Sequence, residues 1–313
     1  MNYRVILGLL FLFPSCSTVS NSTSQGRFET IVLGVAQDGG VPHVGCSKPC
    51  CVDARRSGRR LYPACLAIHD RENGRLCLIE CTPRIEPQLA MLHAIAGIEG
   101  RGRKPVDAVM LTHAHMGHYL GLAQFGKEVA ATDKLPVFVS PRFAAYLRKN
   151  GPWKLMVENK NIVIHEIEPG TAFSPIPGIR VTPIPVPHRD EYSDTMAFQI
   201  RGPNKSVLFV PDVDSWKKKP GLLRRLVEGM DIAYLDATFY DGSELPDRIM
   251  ALVQHPFITE TMAALRDDAA ARPGRFRFIH LNHTNPALHD SGIRREIEAA
   301  GFRIAKQGER VGL

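Results

Sequence analysis

Short runs of β-branched and apolar residues alternate with polar or glycine-rich loops along this 313-residue chain. TIVLGVA (30–36), DAVMLT (107–112) and SVLFVPD (206–212) are such runs, and each has the length and composition of a strand. Two strand-rich halves, each followed by segments with helical spacing, predict an α/β (α+β) fold built as a four-layer αββα sandwich. In this arrangement two mixed sheets face each other and the helices cover their outer faces. One such domain is predicted over residues 27–313.

Local signals predict individual elements within this fold. ACLAIHD (64–70) and RLCLIEC (75–81) are joined by RENG, which indicates a β-hairpin. FITETMAALRDDAAAR (257–272) has the spacing of one continuous helix.

The first 26 residues predict an export signal. Arg4 precedes the apolar run VILGLLFLF (5–13), which is too short to span a bilayer but fits the core of a signal peptide. FPSC then ends at Cys16, before a polar Ser/Thr-rich tether, and resembles a bacterial lipobox. The resemblance implies a periplasmic lipoprotein that is anchored to the membrane through a lipidated Cys16. A buried hydrophobic N-terminal helix is the alternative.

The charge distribution argues against a nucleic-acid partner. The net charge is +7, but the basic residues are scattered and the longest basic run is Lys217–Lys219. A nucleic-acid surface needs a continuous basic stripe with stacking residues. The basic surface therefore favours a small-molecule substrate, and an anionic one in particular.

Side chains that bind metals recur where the predicted strands end. LTHAHMGHYLGL (111–122) brings three histidines within six positions, directly after an apolar run. Imidazoles and carboxylates are ligands that zinc or manganese accepts, and a catalytic ion needs about three of them with an open position for water. The candidate ligands at strand ends are His113, His115, His118, His188, Asp212 and His280.

These residues resemble a known family. THAHMGH (112–118) is similar to the H-x-H-x-D-H signature of the metallo-β-lactamase superfamily, whose fold is the αββα sandwich. Within the superfamily, DGGVPHVGC (38–46) and IHLNHTNP (279–286) are similar to the coenzyme PQQ synthesis protein B family. The chain also resembles the cyclic phosphodiesterases and tRNase Z enzymes. The later ligand positions of the superfamily are matched in order by His188, Asp212 and His280.

The resemblance implies two ion positions. It assigns to the first ion the side chains of His113, His115 and His188. It assigns to the second ion the side chains of His118, Asp212 and His280. Asp212 can bridge the two. Gly117 stands where the superfamily has an aspartate, so we expect a weaker second position and one or two bound ions; a glycine also permits a positive φ at this turn.

A histidine and an acid lie apart from these ligands. LDATFYD (235–241) followed by QHPFITETMAAL (254–265) looks like the tRNase Z pattern in which an acidic residue supports a downstream histidine. The matching residues are Asp236 and His255. Such a carboxylate raises the basicity of an imidazole and suits it to protonate a leaving oxygen. With Asp212, these two are the candidate catalytic residues; the alternative is an ordinary histidine at the start of a helix.

CSKPCC (46–51) crowds three cysteines together, at the place where the relatives carry a C-x-C-x-x-C zinc knuckle. The resemblance implies a structural zinc ion, although Lys48 takes the place of the middle cysteine. A disulfide between adjacent or nearby cysteines of this run is the alternative in an oxidising compartment. The implied structural ligands are Cys46, Cys50, Cys51 and His283.

These observations lead to competing functions. The first expectation is an exported metal-dependent hydrolase that cleaves phosphodiester or related ester bonds with a metal-bound hydroxide, assisted by His255. The alternatives are an iron-dependent oxidative role in the biosynthesis of a PQQ-like cofactor, and a metal-binding protein without catalysis. Zn²⁺ fits the hydrolase, and Mn²⁺ and Fe²⁺ are further candidates.

Overall fold

The computed structural model describes residues 26–245, residue 250 and residues 253–313. The predicted export signal with Cys16 lies outside the described residues, so this signal and the domain boundary after it stay predictions. Within the described ranges, no helix is both long enough and apolar enough to cross a membrane.

The first half of the chain and its last strand form one sheet. Its strands are β1 Phe28–Gly34, β2 Cys65–Asp70, β3 Arg75–Ile79, β4 Ala108–Met110, β5 Leu135–Val139, β6 Ile162–Glu166 and β13 Arg310–Gly312. The strand order is β13-β1-β2-β3-β4-β5-β6. The β2–β3 pair is the predicted hairpin, and the strands from β3 to β6 run parallel.

The second half forms the other sheet. Its strands are β7 Arg180–Pro185, β8 Met196–Arg201, β9 Ser206–Val210, β10 Ile232–Asp236, β11 Phe276–Ile279 and β12 Arg303–Ile304. The strand order is β12-β11-β10-β9-β8-β7, with the strands from β9 to β12 parallel. Parallel neighbours end at the same edge of a sheet, which places the residues that follow them close together.

The α-helices connect these strands. They are α1 Pro49–Ser57, α2 Ile85–Ala96, α3 Met116–Tyr119, α4 Pro141–Lys149, α5 Trp153–Glu158, α6 Leu222–Val227, α7 Ile258–Ala264, α8 Arg266–Ala271 and α9 Ser291–Ala299. The prediction of one continuous helix over 257–272 is wrong, because Leu265 leaves the helical conformation at φ −115° and ψ 15°. Leu265 is fully buried, and the chain turns there while its side chain stays in the core.

Three apolar clusters show how the layers stack. Between the sheets, Val32 of β1 and Phe209 of β9 belong to one cluster. On the outer face of the first sheet, Leu33 of β1 lies in a cluster with Leu92 of α2. On the outer face of the second sheet, Leu208 packs in a cluster that includes α6, α7 and α9. Since successive residues of a strand point to opposite faces, both faces of each sheet are buried. The predicted four-layer αββα sandwich is confirmed.

Candidate metal centre

The histidines and acids that follow strands lie together at one edge of the sandwich. His113 follows β4 of the first sheet and Asp212 follows β9 of the second, yet His113 Nε2 lies 3.4 Å from Asp212 Oδ2. The centre is therefore built between the two sheets. The structure brings all six predicted ligands to this edge, in groups whose donor atoms lie within 4.8 Å of one another.

One group consists of His113, His115, His188 and Asp212. His188 Nε2 lies 3.0 Å from His115 Nδ1 and 3.2 Å from Asp212 Oδ2. Four nitrogen and oxygen donors at these separations can surround a single ion. His115 has the most accessible side chain of the four and contacts the half-exposed Glu191 at 2.8 Å, so the group opens to solvent on this side.

A second group lies on the other side of Asp212. Asp212 Oδ2 is 3.5 Å from His118 Nε2 and 4.0 Å from His280 Nε2, which places this carboxylate between the two groups. The same two nitrogens lie 3.4 Å and 3.6 Å from Oδ1 of Asp38. The sequence patterns did not single out Asp38. It follows β1 as the other candidates follow their strands, and that is the signal by which it could have been found.

Five of the donor atoms at the centre are buried and have no hydrogen-bond partner within the described part of the chain. An unpaired buried polar atom costs about 1–3 kcal/mol, and several in one place are stable only if something else binds them. A cation satisfies imidazole nitrogens and carboxylate oxygens together, so the residues present fit a metal ion. These atoms are Asp38 Oδ1, His113 Nε2, His118 Nε2, Asp212 Oδ1 and His280 Nε2.

Buried acids hold the opposite nitrogens of these rings. His188 Nδ1 donates to Asp214 at 3.1 Å, and His118 Nδ1 donates to Glu80 at 3.2 Å. With Nδ1 protonated, each Nε2 keeps a free lone pair that faces the centre. Both acids are almost completely buried, so these contacts fix the orientation of the imidazoles.

The electrostatics of the centre suit a dication. Burial lowers the pKa of His113 well below its usual value, and a neutral imidazole is the form that binds metals. Burial would also lower the pKa of His280, but Asp212 and Asp236 outweigh it and raise this pKa to about 10. The carboxylates therefore favour positive charge at this position, and a bound dication would supply it.

The structure also brings Asp236 and His255 together. His255 Nδ1 lies 3.0 Å from Asp236 Oδ2 and 3.4 Å from Asp212 Oδ1. Asp236 is fully buried and accepts a hydrogen bond from the backbone N–H of Val213 at 3.0 Å. Burial lowers the pKa of His255, but the two aspartates outweigh burial and raise it above its usual value. Its catalytic role stays a prediction.

Gly117 does not have the backbone angle that its identity suggested. Its φ is not positive, unlike that of Gly40 or Gly45, and the residue lies within the short helix α3. The physical reason for the glycine is space: a Cβ at position 117 would lie 1.9 Å from Oδ1 of Asp38. Any side chain here would collide with this aspartate.

The four predicted structural ligands form a separate cluster. One donor atom each from Cys46, Cys50, Cys51 and His283 lies within 4.8 Å of the others. Two of the cysteines belong to α1, a helix that begins at Pro49 and that the sequence analysis did not predict. All these cysteines are free, with 3.9 Å between the sulfurs of the adjacent pair. Nδ1 of His283 is buried without a hydrogen-bond partner in the described chain.

The two-sheet sandwich and its centre of imidazoles and carboxylates define a metallo-β-lactamase-fold protein. The family model for the sequence of the β-lactamase superfamily domain matches residues 75–281, and the chain belongs to this family. The chain is 26% identical over 305 residues to coenzyme PQQ synthesis protein B of Methylobacterium sp. strain 4-46, which covers 90% of this chain and 98% of that protein.

Solved structures show the same fold. Zn²⁺-bound PqqB from Methylobacterium extorquens superimposes with a TM-score of 0.76 and 23% identity, over 91% of this chain and 100% of that one. A diphosphatase of the PhnP family superimposes with a TM-score of 0.64 and 20% identity, over 91% and 97% of the two chains. The predicted resemblance to the superfamily and to PQQ synthesis protein B is confirmed.

Proposed function

We propose that this chain is a metal-dependent enzyme that oxidises a small-molecule precursor in the biosynthesis of a PQQ-like cofactor. The first expectation from the sequence, a phosphodiester hydrolase, is wrong, whereas its predicted export stays a prediction. The curated relatives that match nearly the whole chain are coenzyme PQQ synthesis proteins B, and their name describes cofactor synthesis. The alternative of a role in cofactor biosynthesis fits these relatives better. Their coverage of the chain is the observation that carries the proposal.

The chemistry of the donor set is compatible with iron. Imidazole and carboxylate ligands with an accessible side suit Fe²⁺ in oxidative enzymes as well as zinc. Bound iron would supply the electron-transfer chemistry that no side chain of this centre provides. His113, His115, His188 and Asp212 would hold it, because their donor atoms are mutually close and His115 marks the open side.

The proposed reaction requires an oxidant, and we assign that role to dioxygen. A two-electron oxidation of the precursor releases two electrons and two protons. One molecule of dioxygen accepts the two electrons and the two protons and becomes hydrogen peroxide. His255 would take up a proton, and Asp236, which lies 3.0 Å from its Nδ1, would stabilise the imidazolium.

Extracts of a bacterial strain that lacks PQQ synthesis protein B provide the test, because the proposal implies that the unprocessed precursor accumulates in them. Metal-stripped protein is reloaded anaerobically with Fe²⁺ or Zn²⁺ and mixed with the extract, and oxygen uptake and cofactor formation are measured. We expect the Fe²⁺ form to restore both and the Zn²⁺ form to restore neither. Equal restoration by Zn²⁺ would show that the reaction is not oxidative, and no restoration by Fe²⁺ would overturn the cofactor role.

Two variants complete this experiment. His115→Ala should abolish the restoration, because it removes a donor from the accessible group. Asp133→Asn changes an exposed loop acid in the same protein and should leave the restoration unchanged.

A further inference from the structure

We propose that Asp38 supplies the carboxylate ligand that Gly117 cannot, so that this chain holds a second metal ion with a ligand from a different loop. The inference depends on metal binding at the centre and not on the oxidative reaction. Oδ1 of Asp38 is buried, lacks a hydrogen-bond partner in the described chain and lies 3.4 Å from His118 Nε2 and 3.6 Å from His280 Nε2. These three donor atoms alone can surround one ion.

The backbone holds Asp38 in this position. The N–H of Gln37 donates to the carbonyl of Leu281 at 2.8 Å, and the N–H of Leu281 donates to the carbonyl of Val35 at 2.9 Å. The loop after β1 is thus tied to the residue next to His280. The following turn is closed by the N–H of Gly40, which donates to the carbonyl of Gln37 at 2.7 Å. These backbone hydrogen bonds therefore fix the position of Asp38 relative to His280 as the hydrogen bonds of a sheet fix residues on neighbouring strands.

Asp38 and a side chain at position 117 exclude each other. A Cβ on residue 117 would lie 1.9 Å from Oδ1 and 2.7 Å from Cα of Asp38, distances that atoms in contact cannot adopt. The second contact is to backbone, so a rotation of the Asp38 side chain would not relieve it. The glycine and the aspartate form one arrangement, in which the carboxylate has moved from α3 to the loop after β1.

The relocated carboxylate restores the charge of the second position. With Asp38, the second group contains two imidazoles and two carboxylates, the other carboxylate being Asp212 between the groups. Asp38 adds a carboxylate that belongs to this position alone, while Asp212 is shared with the first group, and four donors are sufficient for zinc. The identity of Gly117 alone suggested a weak second metal site. With Asp38 as a ligand, we expect this site to bind its ion tightly.

Titration with Mn²⁺ alone tests the inference. Manganese prefers oxygen and nitrogen donors over thiolates, so it reports on this centre and not on the cysteine cluster. We expect two tightly bound Mn²⁺ per unmodified chain, measured by elemental analysis and by the electron paramagnetic resonance signal of a coupled pair. Asp38→Asn keeps the shape of the side chain and should weaken the second ion by at least roughly 100-fold. Asp133→Asn is the matched control and should hold both ions.

The variants at position 117 make the test specific. Gly117→Asp alone should bind no more Mn²⁺ than the unmodified chain, because the new side chain at position 117 collides with Asp38. Asp38→Gly should lose the second ion, and adding Gly117→Asp to it should not recover that ion, because the new Cβ would still lie 2.7 Å from Cα of residue 38. The circular dichroism of each variant confirms that it is folded.

Three results would overturn the inference: one Mn²⁺ in the unmodified chain, two Mn²⁺ of unchanged affinity in folded Asp38→Asn, or an ion gained by Gly117→Asp alone. A chain that holds two ions but restores no cofactor formation would overturn the proposed function and leave this inference standing.

Discussion

Asp214 Oδ1 lies 3.1 Å from Nδ1 of His188, and both side chains are almost completely buried. The acid lies two residues after Asp212 in the segment that follows β9, so the same loop supplies a donor to the centre and a partner for one of its histidines. Lys218 Nζ lies 2.5 Å from the other oxygen of Asp214 and balances its charge. The pair keeps Nε2 of His188 directed at His115 and Asp212.

Asp214→Asn should lower the affinity of the first ion by roughly tenfold or more, as removal of such outer partners usually does. The amide has no negative charge, and its NH₂ group can donate to Nδ1 and move the proton of His188 to the nitrogen that faces the ion. Competition with a chelator of known affinity measures the change. An unchanged affinity in the folded variant would show that Asp214 does not orient the ligand.

His115→Ala should remove the ion of the first group and with it the turnover. It deletes one of four donors whose atoms lie within 4.8 Å, and it leaves the buried ones in place. Elemental analysis of the purified variant measures the loss. His93→Ala removes an imidazole that contacts the carbonyl of Pro105 outside the centre and should keep the full metal content. Full metal retention by His115→Ala would contradict the assignment of the first group.

The residues of this centre could be predicted from the sequence because strands and their ends are local features. An apolar run that stops before His113 or Asp212 is visible without knowledge of the fold. Asp38 obeys the same rule, but its importance depends on how the loop after β1 passes α3, and that passage is a tertiary contact. The sequence alone offers a lost ligand or a backbone angle as the meaning of Gly117, whereas its cause is a contact with a residue 79 positions away in the chain.

The helical region after His255 shows a second limit. Every residue near Leu265 is compatible with a helix, so no local signal indicates a break. The break is observed where Leu265 is buried in the cluster that contains α6 and α9, and such packing is set by the whole fold. By contrast, α1 carried a signal that could have been used, since Pro49 begins it and Gly58 follows its end in the left-handed conformation.

The cysteine cluster should bind one zinc ion that stabilises the fold. His283 is suited to this because burial lowers its pKa to about 4, which leaves the imidazole neutral at pH 7. Cys51→Ala should lose this zinc and lower the melting temperature by several degrees. For a domain of this size, that shift corresponds to a loss on the order of 1–2 kcal/mol in the free energy of unfolding. Cys77→Ala removes a buried thiol outside the cluster and should keep the zinc. If unmodified protein contains no zinc here and a reductant lowers its melting temperature, the cysteines form a disulfide instead.

Glu29 should make stability depend on pH. Its side chain is almost fully buried and accepts hydrogen bonds from Arg71 at 2.8 Å, Arg310 at 2.7 Å and His69 at 3.0 Å. Burial raises the pKa of Glu29, but these three partners outweigh burial and hold it well below its usual range. A depressed pKa means that the stabilisation is complete above the unfolded value of about 4.3 and is lost as the pH falls below it.

Glu29→Gln should therefore destabilise the protein by roughly 2 kcal/mol at pH 7, and the difference from the unmodified protein should shrink between about pH 4 and pH 3. Urea unfolding of both proteins at each pH gives this difference directly. Loss of metal in acid affects both proteins alike and cancels in the comparison. Glu128→Gln, in an exposed turn, should show no such difference at any pH. A constant difference for Glu29→Gln across this range would contradict the charge-based account.

Export through Cys16 remains a proposal that rests on the sequence. The lipobox-like FPSC is the feature that supports it, since a lipid on Cys16 would anchor the protein. Cys16→Ser keeps the size of the side chain but removes the thiol that would carry the lipid, and we expect it to move the protein from the membrane fraction to the soluble fraction. Ser15→Ala keeps a small residue before the cysteine and should leave the protein at the membrane. Cell fractionation and the mass of the N-terminal peptide measure both properties, and unmodified protein found in the cytosol with Met1 intact would rule out the signal.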